Sequence, residues 1–176
     1  MRLVMNISGI EFHFQIHNYS KSKTDDWDSE WSKLSLKLFA QNWLNYEIKY
    51  DEIMLMSEIE ELRDDLENLI NDKLTENQTI EFLEPDLSFV LSPKFDIRNN
   101  PNILYVEEGY EIADITMDLE VNFWDSRDGS ATANKLTLCL DREEIEIFLD
   151  YLNFIIDNDV DSDRVSELIE QGIFVE

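Results

Sequence analysis

Apolar and polar residues alternate along five segments of the chain. In each segment an apolar side chain recurs at every second position with polar side chains between, which is the pattern of a strand with one buried face. Parallel strands buried on both faces would read instead as continuous apolar runs. The alternation therefore predicts antiparallel strands, at residues 10–16, 34–38, 44–50, 115–123 and 136–140. Polar connections are predicted at 21–32, 92–102 and 125–134.

Three segments change to the helical period. The first is predicted to open with a capping box formed by Ser57 and Glu60, followed by an apolar stripe. The second begins at Asp141 with Glu144 three residues later, and a shorter C-terminal helix ends at Gly172. Since both long helices need an apolar surface to cover, we expect an α+β fold. It consists of an antiparallel sheet with two long helices packed on one face and a short C-terminal helix, in a single acidic domain over residues 1–176.

The charge of the chain restricts its partners. It has 40 acidic against 14 basic residues, a formal net charge of -26, yet 43% of its residues are hydrophobic, so it is expected to fold. A negative field disfavours nucleic acid and anionic membranes and favours a basic protein partner. Cys139 alone cannot form an internal disulfide, and no signal peptide or membrane span is evident. We therefore expect a cytoplasmic protein without cofactors; the oligomeric state stays open.

Two acidic segments that contain tryptophan are the candidate partner surfaces. Carboxylates attract a basic face, and tryptophan is enriched at interface hot spots. The second segment lies on the polar side of the strand at 115–123 and contains Asp118, Glu120 and Trp124. For the first segment, the structural alternative is a solvated loop whose tryptophans pack under the sheet. For the second segment, the alternative is that helices cover this face of the strand. The first segment consists of Asp25, Asp26, Trp27, Asp28, Glu30 and Trp31.

A third acidic cluster at 157–163 suggests a different function. A calcium loop places carboxylates at its first, third, fifth and twelfth positions, but its sixth position requires glycine and here is Arg164. Carboxylates gathered at the N-terminus of a helix explain the same residues. A calcium-binding or carboxylate-based hydrolytic domain is therefore kept only as the alternative function, with weak metal candidates Asp159, Asp161, Asp163 and Glu170.

Catalytic constellations find little support in the sequence. His13 and His17 lie on the polar side of the first predicted strand, and no third ligand or nucleophile has a matching spacing. Cys139 has no neighbouring base, so an unreactive thiol is expected. The sequence favours a binding protein over an enzyme.

A distinctive string in the chain supports a resemblance to a known family. It follows a strand-like segment at 79–82 and an acidic helix, and it precedes a long alternating strand and a leucine-rich strand that enters a second helix. With this order the chain resembles the WapI-type immunity proteins from about residue 27 to about residue 157, whereas 160–176 has no counterpart. The string is Glu84-Pro85-Asp86-Leu87-Ser88-Phe89.

The resemblance implies a function and leaves the string itself a structural role. Such proteins are small, bacterial and cytosolic, and the resemblance implies binding to a toxin domain, commonly a nuclease, and no catalysis. Because Pro85 cannot donate a ladder hydrogen bond, it predicts the start or edge of a strand, after which Leu87 and Phe89 face the core. Glu84 and Asp86 are expected either to shape a turn or to contact the partner.

Overall fold

The computed structural model describes residues 1–20, 30–124, 131–157 and 160–176. Within these residues the chain forms strands and α-helices in the order β1 (Arg2–Ile7), β2 (Ile10–His17), β3 (Trp31–Ala40), β4 (Leu44–Leu55), α1 (Met56–Ile70), β5 (Gln78–Glu81), β6 (Leu87–Ser92), β7 (Phe95–Asp96), β8 (Ile112–Ala113), β9 (Thr116–Trp124), β10 (Ala131–Leu140), α2 (Arg142–Ile156), α3 (Ser162–Glu170) and β11 (Phe174–Val175).

The larger strands form two antiparallel sheets. The first has the order β11-β1-β2-β3-β4, in which β1 to β4 are a meander and the C-terminal strand adds to the outer edge of β1. The second has the order β10-β9-β6-β5. Strands β7 and β8 pair only with each other, between β6 and β9 in the chain. The α+β fold with antiparallel strands is thus confirmed, but the strands divide into two sheets where the alternation alone suggested one.

The helix α2 connects the two sheets through one aromatic side chain. The ring of Phe148 lies 5.2 Å from that of Phe14 and 6.4 Å from that of Phe12 in the first sheet. It also lies 6.0 Å from the ring of Phe89 in the second sheet. Since all four side chains are fully buried, they join the two sheets into one continuous hydrophobic core.

The hydroxyl of Tyr151 completes the backbone hydrogen bonding of β2. It accepts the N–H of Ile16 at 2.9 Å and donates to the carbonyl of Met1 at 3.3 Å. Strand β1 begins only at Arg2, so this hydroxyl takes the place of the next ladder bond. Burial and the loss of hydration raise the pKa of this phenol, which keeps it protonated and able to donate.

The helix ends agree in part with the sequence prediction. Asp141 caps α2, accepting from the N–H of Glu144 at 3.0 Å while the Glu144 carboxylate accepts from the N–H of Asp141 at 3.0 Å, as predicted. The capping box predicted at Ser57 and Glu60 is wrong. Strand β4 continues directly into α1, and the carboxylate of Glu58 accepts the N–H of Leu55 at 2.7 Å. That bond satisfies a donor at the junction and removes the need for a loop.

Strands extend into all three predicted connections. β3 already starts at Trp31, where a loop was predicted to run to residue 32, and Ser32 is fully buried with its hydroxyl donating to the carbonyl of Met54 at 2.9 Å. Similarly, β6 includes Ser92 and β10 begins at Ala131. In the part of the chain that the structure describes, none of the helices has both the length and the apolar character required to cross a membrane.

Candidate functional site

The distinctive string at 84–89 forms a turn that enters β6. Pro85 is exposed in this turn, and Leu87 and Phe89 alternate into the core as predicted. The backbone N–H of Asn122 on β9 donates to the carbonyl of Asp86 at 2.9 Å, and the Asn122 side-chain amide donates to the carbonyl of Pro85. The turn is therefore fixed against the end of β9 and presents its carboxylates at a defined position.

Trp124 lies at the end of β9 beside this turn. Its indole N–H donates to the Asp86 carboxylate at 2.5 Å, a short hydrogen bond to a charged acceptor. Trp124 is predicted as a partner-binding residue on the polar side of its strand, and Asp86 as a residue of the distinctive string that either shapes a turn or contacts the partner. The structure places these two residues, which were predicted for separate reasons, in direct contact.

An open groove runs from Trp124 and the turn to the edge strand β4. Its volume is about 640 Å³. Tyr46 forms part of its floor, because its ring packs against that of Phe123 at 4.8 Å and its hydroxyl donates to the carbonyl of Asn122 at 3.3 Å. Besides Tyr46, Ile48, Ile53 and Trp124, the groove is lined by five acidic residues and one lysine: Glu47, Asp51, Glu52, Glu84, Asp86 and Lys49. We call this site the acidic groove.

The backbone of β4 is irregular where it borders the acidic groove. Tyr50 has a φ of 52°, in the left-handed region that a bulky side chain rarely adopts. The register of β4 against β3 shifts at the same place, so the strand bulges. The bulge is supported by the Ser35 hydroxyl, which accepts the N–H of Tyr50 at 3.1 Å. Asp51 and Glu52 follow directly after it.

The carboxylates of the acidic groove divide into two sets. Glu47 pairs with Lys49 at 3.0 Å, and Glu52 pairs with Lys33 at 2.6 Å. Within the described residues, Asp51, Glu84 and Asp86 have no lysine or arginine partner. This second set gives the groove an uncompensated negative charge next to two aromatic rings.

The surroundings of Asp86 in the acidic groove raise the pKa of its carboxyl group. Partial burial raises it above the usual range, and the neighbouring charges of Glu84 and Asp51 raise it further, whereas the hydrogen bond from Trp124 lowers it. Burial, and then the charge of Asp86, also raise the pKa of the Tyr46 phenol. A lysine or arginine side chain that entered the acidic groove would relieve this repulsion and could stack on an aromatic face.

The polar face of the second sheet carries Asp118 and Glu120, as the sequence predicted. Glu120 pairs with Lys135 at 2.7 Å and accepts from the Ser88 hydroxyl at 3.2 Å. Asp118 lies opposite the exposed thiol of Cys139 on β10. Partial burial and the hydrogen bond with Asp118 raise the pKa of this thiol to about 11, so it stays protonated and a poor nucleophile. Glu120 therefore has a basic partner, in contrast to Asp51, Glu84 and Asp86 of the acidic groove.

The first predicted surface is described only at its end. Asp25, Asp26, Trp27 and Asp28 lie outside the described residues. Trp31 begins β3 and is partly buried opposite Leu55. The carbonyl of Glu30 accepts the N–H of Met56 at 3.0 Å, at the start of α1. These two residues thus belong to the junction between β3, β4 and α1.

The described residues of the acidic cluster at 157–163 form an ion pair and a helix cap within the protein. Asp157 pairs with Arg63 at 2.7 Å, and the Asp161 side chain caps α3 by accepting the N–H of Asp163 at 2.8 Å. Arg164 pairs with Asp150 at 3.0 Å. Asp159 lies outside the described residues, and Glu170 is exposed in the last turn of α3. Within the described ranges no three His, Cys, Asp or Glu residues are grouped as metal ligands.

Sequence reasoning missed the residues that β4 contributes to the acidic groove. Tyr46 was predicted as a core-facing position of an alternating strand, and Asp51 was not selected. His13 and His17 lie on the polar side of β2 and bind neighbouring side chains: His13 contacts Glu11, and His17 contacts the Ser35 hydroxyl at 3.0 Å. In the structure the positive φ of Tyr50 lies directly before Asp51 and Glu52 at the border of the acidic groove. No pattern in the sequence predicts this backbone conformation.

Comparison with known proteins gives one family match. Residues 2–159 match the family described as "Immunity protein WapI-like family". None of the curated proteins matches the chain. Among solved structures, the crystal structure of WHY1 from Arabidopsis thaliana is similar over 98% of this chain and 92% of that chain, with 9% sequence identity and a TM-score of 0.41. The family match reaches further towards the N-terminus than the resemblance described above, and it ends before α3.

Proposed function

The chain belongs to the WapI-like immunity protein family, and from this premise we propose that it neutralises a cognate toxin domain by covering a basic face of that domain with the acidic groove. It acts by binding and carries out no reaction of its own. The observation that supports this site is a set of carboxylates beside the indole of Trp124 that have no basic partner among the described residues, namely Asp51, Glu84 and Asp86.

The net charge of -26 acts at the encounter stage. A negative surface increases the rate of association with a basic partner, most strongly at low salt, whereas it repels nucleic acid and anionic lipid. Most of the energy that holds an interface together comes from a few large side chains that lose contact with water. Trp124 and Tyr46 are the side chains of the acidic groove with that capacity.

A nuclease is the toxin class that fits an acidic groove best. Nucleases bind phosphate groups with basic side chains, so a surface of carboxylates can occupy the same region and exclude the substrate. The protein would then act in the cytoplasm, where a nuclease meets nucleic acid. The partner is then the toxin domain, and the chain itself does not bind nucleic acid.

Co-expression tests the proposal. The candidate to test is the variable C-terminal domain of a large secreted protein, where a gene adjacent to that of this chain encodes one. Bacteria that express this domain are expected to grow when the wild-type chain is present and to die without it. Persistent killing in the presence of abundant folded protein would contradict the proposal for that pair. A mutant toxin domain without activity serves as the control for toxicity of expression.

A further inference from the structure

A separate extension of the chain interrupts the connection between β6 and β9. We call it the arm and define it as residues 95–113. At its base β7 pairs with β8, and beyond them the N–H of Ile97 donates to the carbonyl of Glu111 at 2.8 Å. The Asp96 side chain caps a short 3-10 helix by accepting the N–H of Arg98 at 3.0 Å. The arm is thus a folded element outside both large sheets.

The arm exposes large apolar side chains. Leu104 is 99% exposed, Tyr105 81% and Tyr110 68%, and Phe95 and Ile112 are also more than half exposed. Elsewhere in the described residues most large apolar side chains are buried in the core. Apolar residues that are concentrated on one exposed element typically mark a protein interaction site.

Ion pairs hold the two ends of the arm to the helices. Just before the arm, Lys94 pairs with Asp72 at 3.0 Å, at the end of α1. Just after it, Asp114 pairs with Arg142 at the start of α2, through two parallel hydrogen bonds of 2.9 Å. Arg142 also lies 3.7 Å from Asp72, so the four residues form one network. A fixed base reduces the conformational entropy that the arm would lose on binding.

The negative charge of the arm and of the chain restricts the kind of partner that can cover the arm. Glu107 and Glu108 have no lysine or arginine partner within the described residues, and Gly109, with a φ of +94°, allows the turn that presents them. A second copy of the chain would bring together two arms that carry like charge on two molecules of net charge -26. A partner with an apolar pocket and a basic rim satisfies both the exposed apolar side chains and the glutamates.

We propose that the arm is a second contact element for the toxin domain. Leu104 and Tyr105 of the arm insert into an apolar pocket of that domain, while Glu107 and Glu108 contact its basic rim. This inference rests on the proposed function, and it adds a contact that the acidic groove does not supply. Tyrosine at the tip fits the role, since tyrosine is enriched at interface hot spots.

The test compares the affinity of four proteins for the purified, catalytically inactive toxin domain. They are the wild-type chain, Leu104→Ser, Tyr105→Ser and the control Trp43→Ser, which replaces another exposed aromatic residue, 65% exposed, in the β3–β4 connection. Because all three residues are exposed, the thermal midpoints should stay close to that of the wild type. Isothermal titration calorimetry is expected to show a loss of roughly tenfold or more for each arm variant and less than about threefold for the control.

Three results would overturn the inference. Wild-type affinity in both arm variants would exclude the arm as a contact while leaving the proposed function intact. Failure of the wild-type chain to bind the toxin domain at all would reject the inference together with the proposed function. A wild-type dimer in sedimentation experiments that Leu104→Ser converts to a monomer would assign the arm to self-association.

Discussion

The indole N–H of Trp124 lies 2.5 Å from the carboxylate of Asp86. These residues are 38 positions apart in the sequence, one at the end of β9 and the other in the turn before β6. Their contact joins the distinctive string to the tryptophan on the polar strand face. It also holds Asp86 near Glu84 and Asp51, although like charges repel one another. The fold therefore keeps Asp51 beside the two carboxylates of the turn, at a cost in electrostatic repulsion.

Replacing Asp86 with asparagine should leave the protein as stable at pH 7 or slightly more stable. Asparagine keeps an oxygen acceptor for Trp124 and removes a charge whose folded-state pKa is raised by burial and by Glu84 and Asp51. A raised carboxyl pKa means that ionisation opposes folding at neutral pH. The gain, up to about 1 kcal/mol, should disappear as the pH falls through the folded pKa towards 3.8. Urea unfolding from pH 7 to 3.5 measures it.

A suitable control for that experiment is Glu61→Gln on the exposed side of α1. Its effect on the free energy of unfolding should stay within about 0.5 kcal/mol, as for most surface substitutions. A loss of stability in Asp86→Asn at pH 7 would show that the charge of Asp86 supports the fold, against this account.

Tyr151→Phe should destabilise the protein by roughly 1–3 kcal/mol. The substitution preserves the ring and its contacts with Phe14 and Phe174 but leaves the buried N–H of Ile16 without its acceptor. Urea unfolding at neutral pH gives the free energy difference. Tyr110→Phe, which removes an exposed hydroxyl in the arm, is the matched control. Equal effects of the two substitutions would mean that the Tyr151 hydroxyl does not complete the β2 ladder.

Arg142→Gln should weaken the attachment of the arm in a pH-dependent manner. The Arg142 guanidinium lowers the pKa of Asp114 to about 2. A lowered carboxyl pKa gives stability that is present above the unfolded value of 3.8 and is lost as the pH falls towards 2. Because Asp114 is half exposed, screening limits the effect to about 1 kcal/mol.

The difference between wild type and Arg142→Gln, measured by urea unfolding, should therefore shrink between pH 4 and pH 2. Within the described residues Arg98 pairs with Asp96 of the arm itself and with no acidic residue of a helix, so Arg98→Gln should cost less. A deficit in Arg142→Gln that is constant with pH would exclude Asp114 as its cause.

The sequence predicted most of the local structure. Alternation identified β2, β3, β9 and β10 and their buried faces, because a half-buried strand places every second side chain in the core, as for Met117 and Leu119. It did not identify β1 or β11, and Tyr50, on the predicted apolar side of β4, is exposed. The cap of α2 was predicted because Asp141 and Glu144 have the residue types and spacing of a capping box. The start of α1 was missed because Glu58 caps it after Leu55, which carries no polar side chain.

Contacts between distant segments could not be predicted. Alternation shows which face of a strand is buried but not which strands pair, so one sheet was expected where the described residues form two large sheets and the separate β7–β8 pair. The acidic groove needs Tyr46 from β4, Asp86 from a turn and Trp124 from β9, and no local pattern connects them. The arm was missed for another reason. Apolar residues such as Leu104 predict burial, and only the structure shows them exposed.

The most direct test of the central claim is the affinity of charge-reversed variants for the inactive toxin domain. Asp51→Lys combined with Glu84→Lys reverses two carboxylates of the acidic groove, and Glu170→Lys combined with Glu176→Lys makes the same change in net charge near the C-terminus, beyond the matched family region. Calorimetry should show a loss of about 100-fold or more for the groove variant and less than about fivefold for the other. Equal affinities in the two variants would contradict the assignment of the acidic groove as the toxin-binding site.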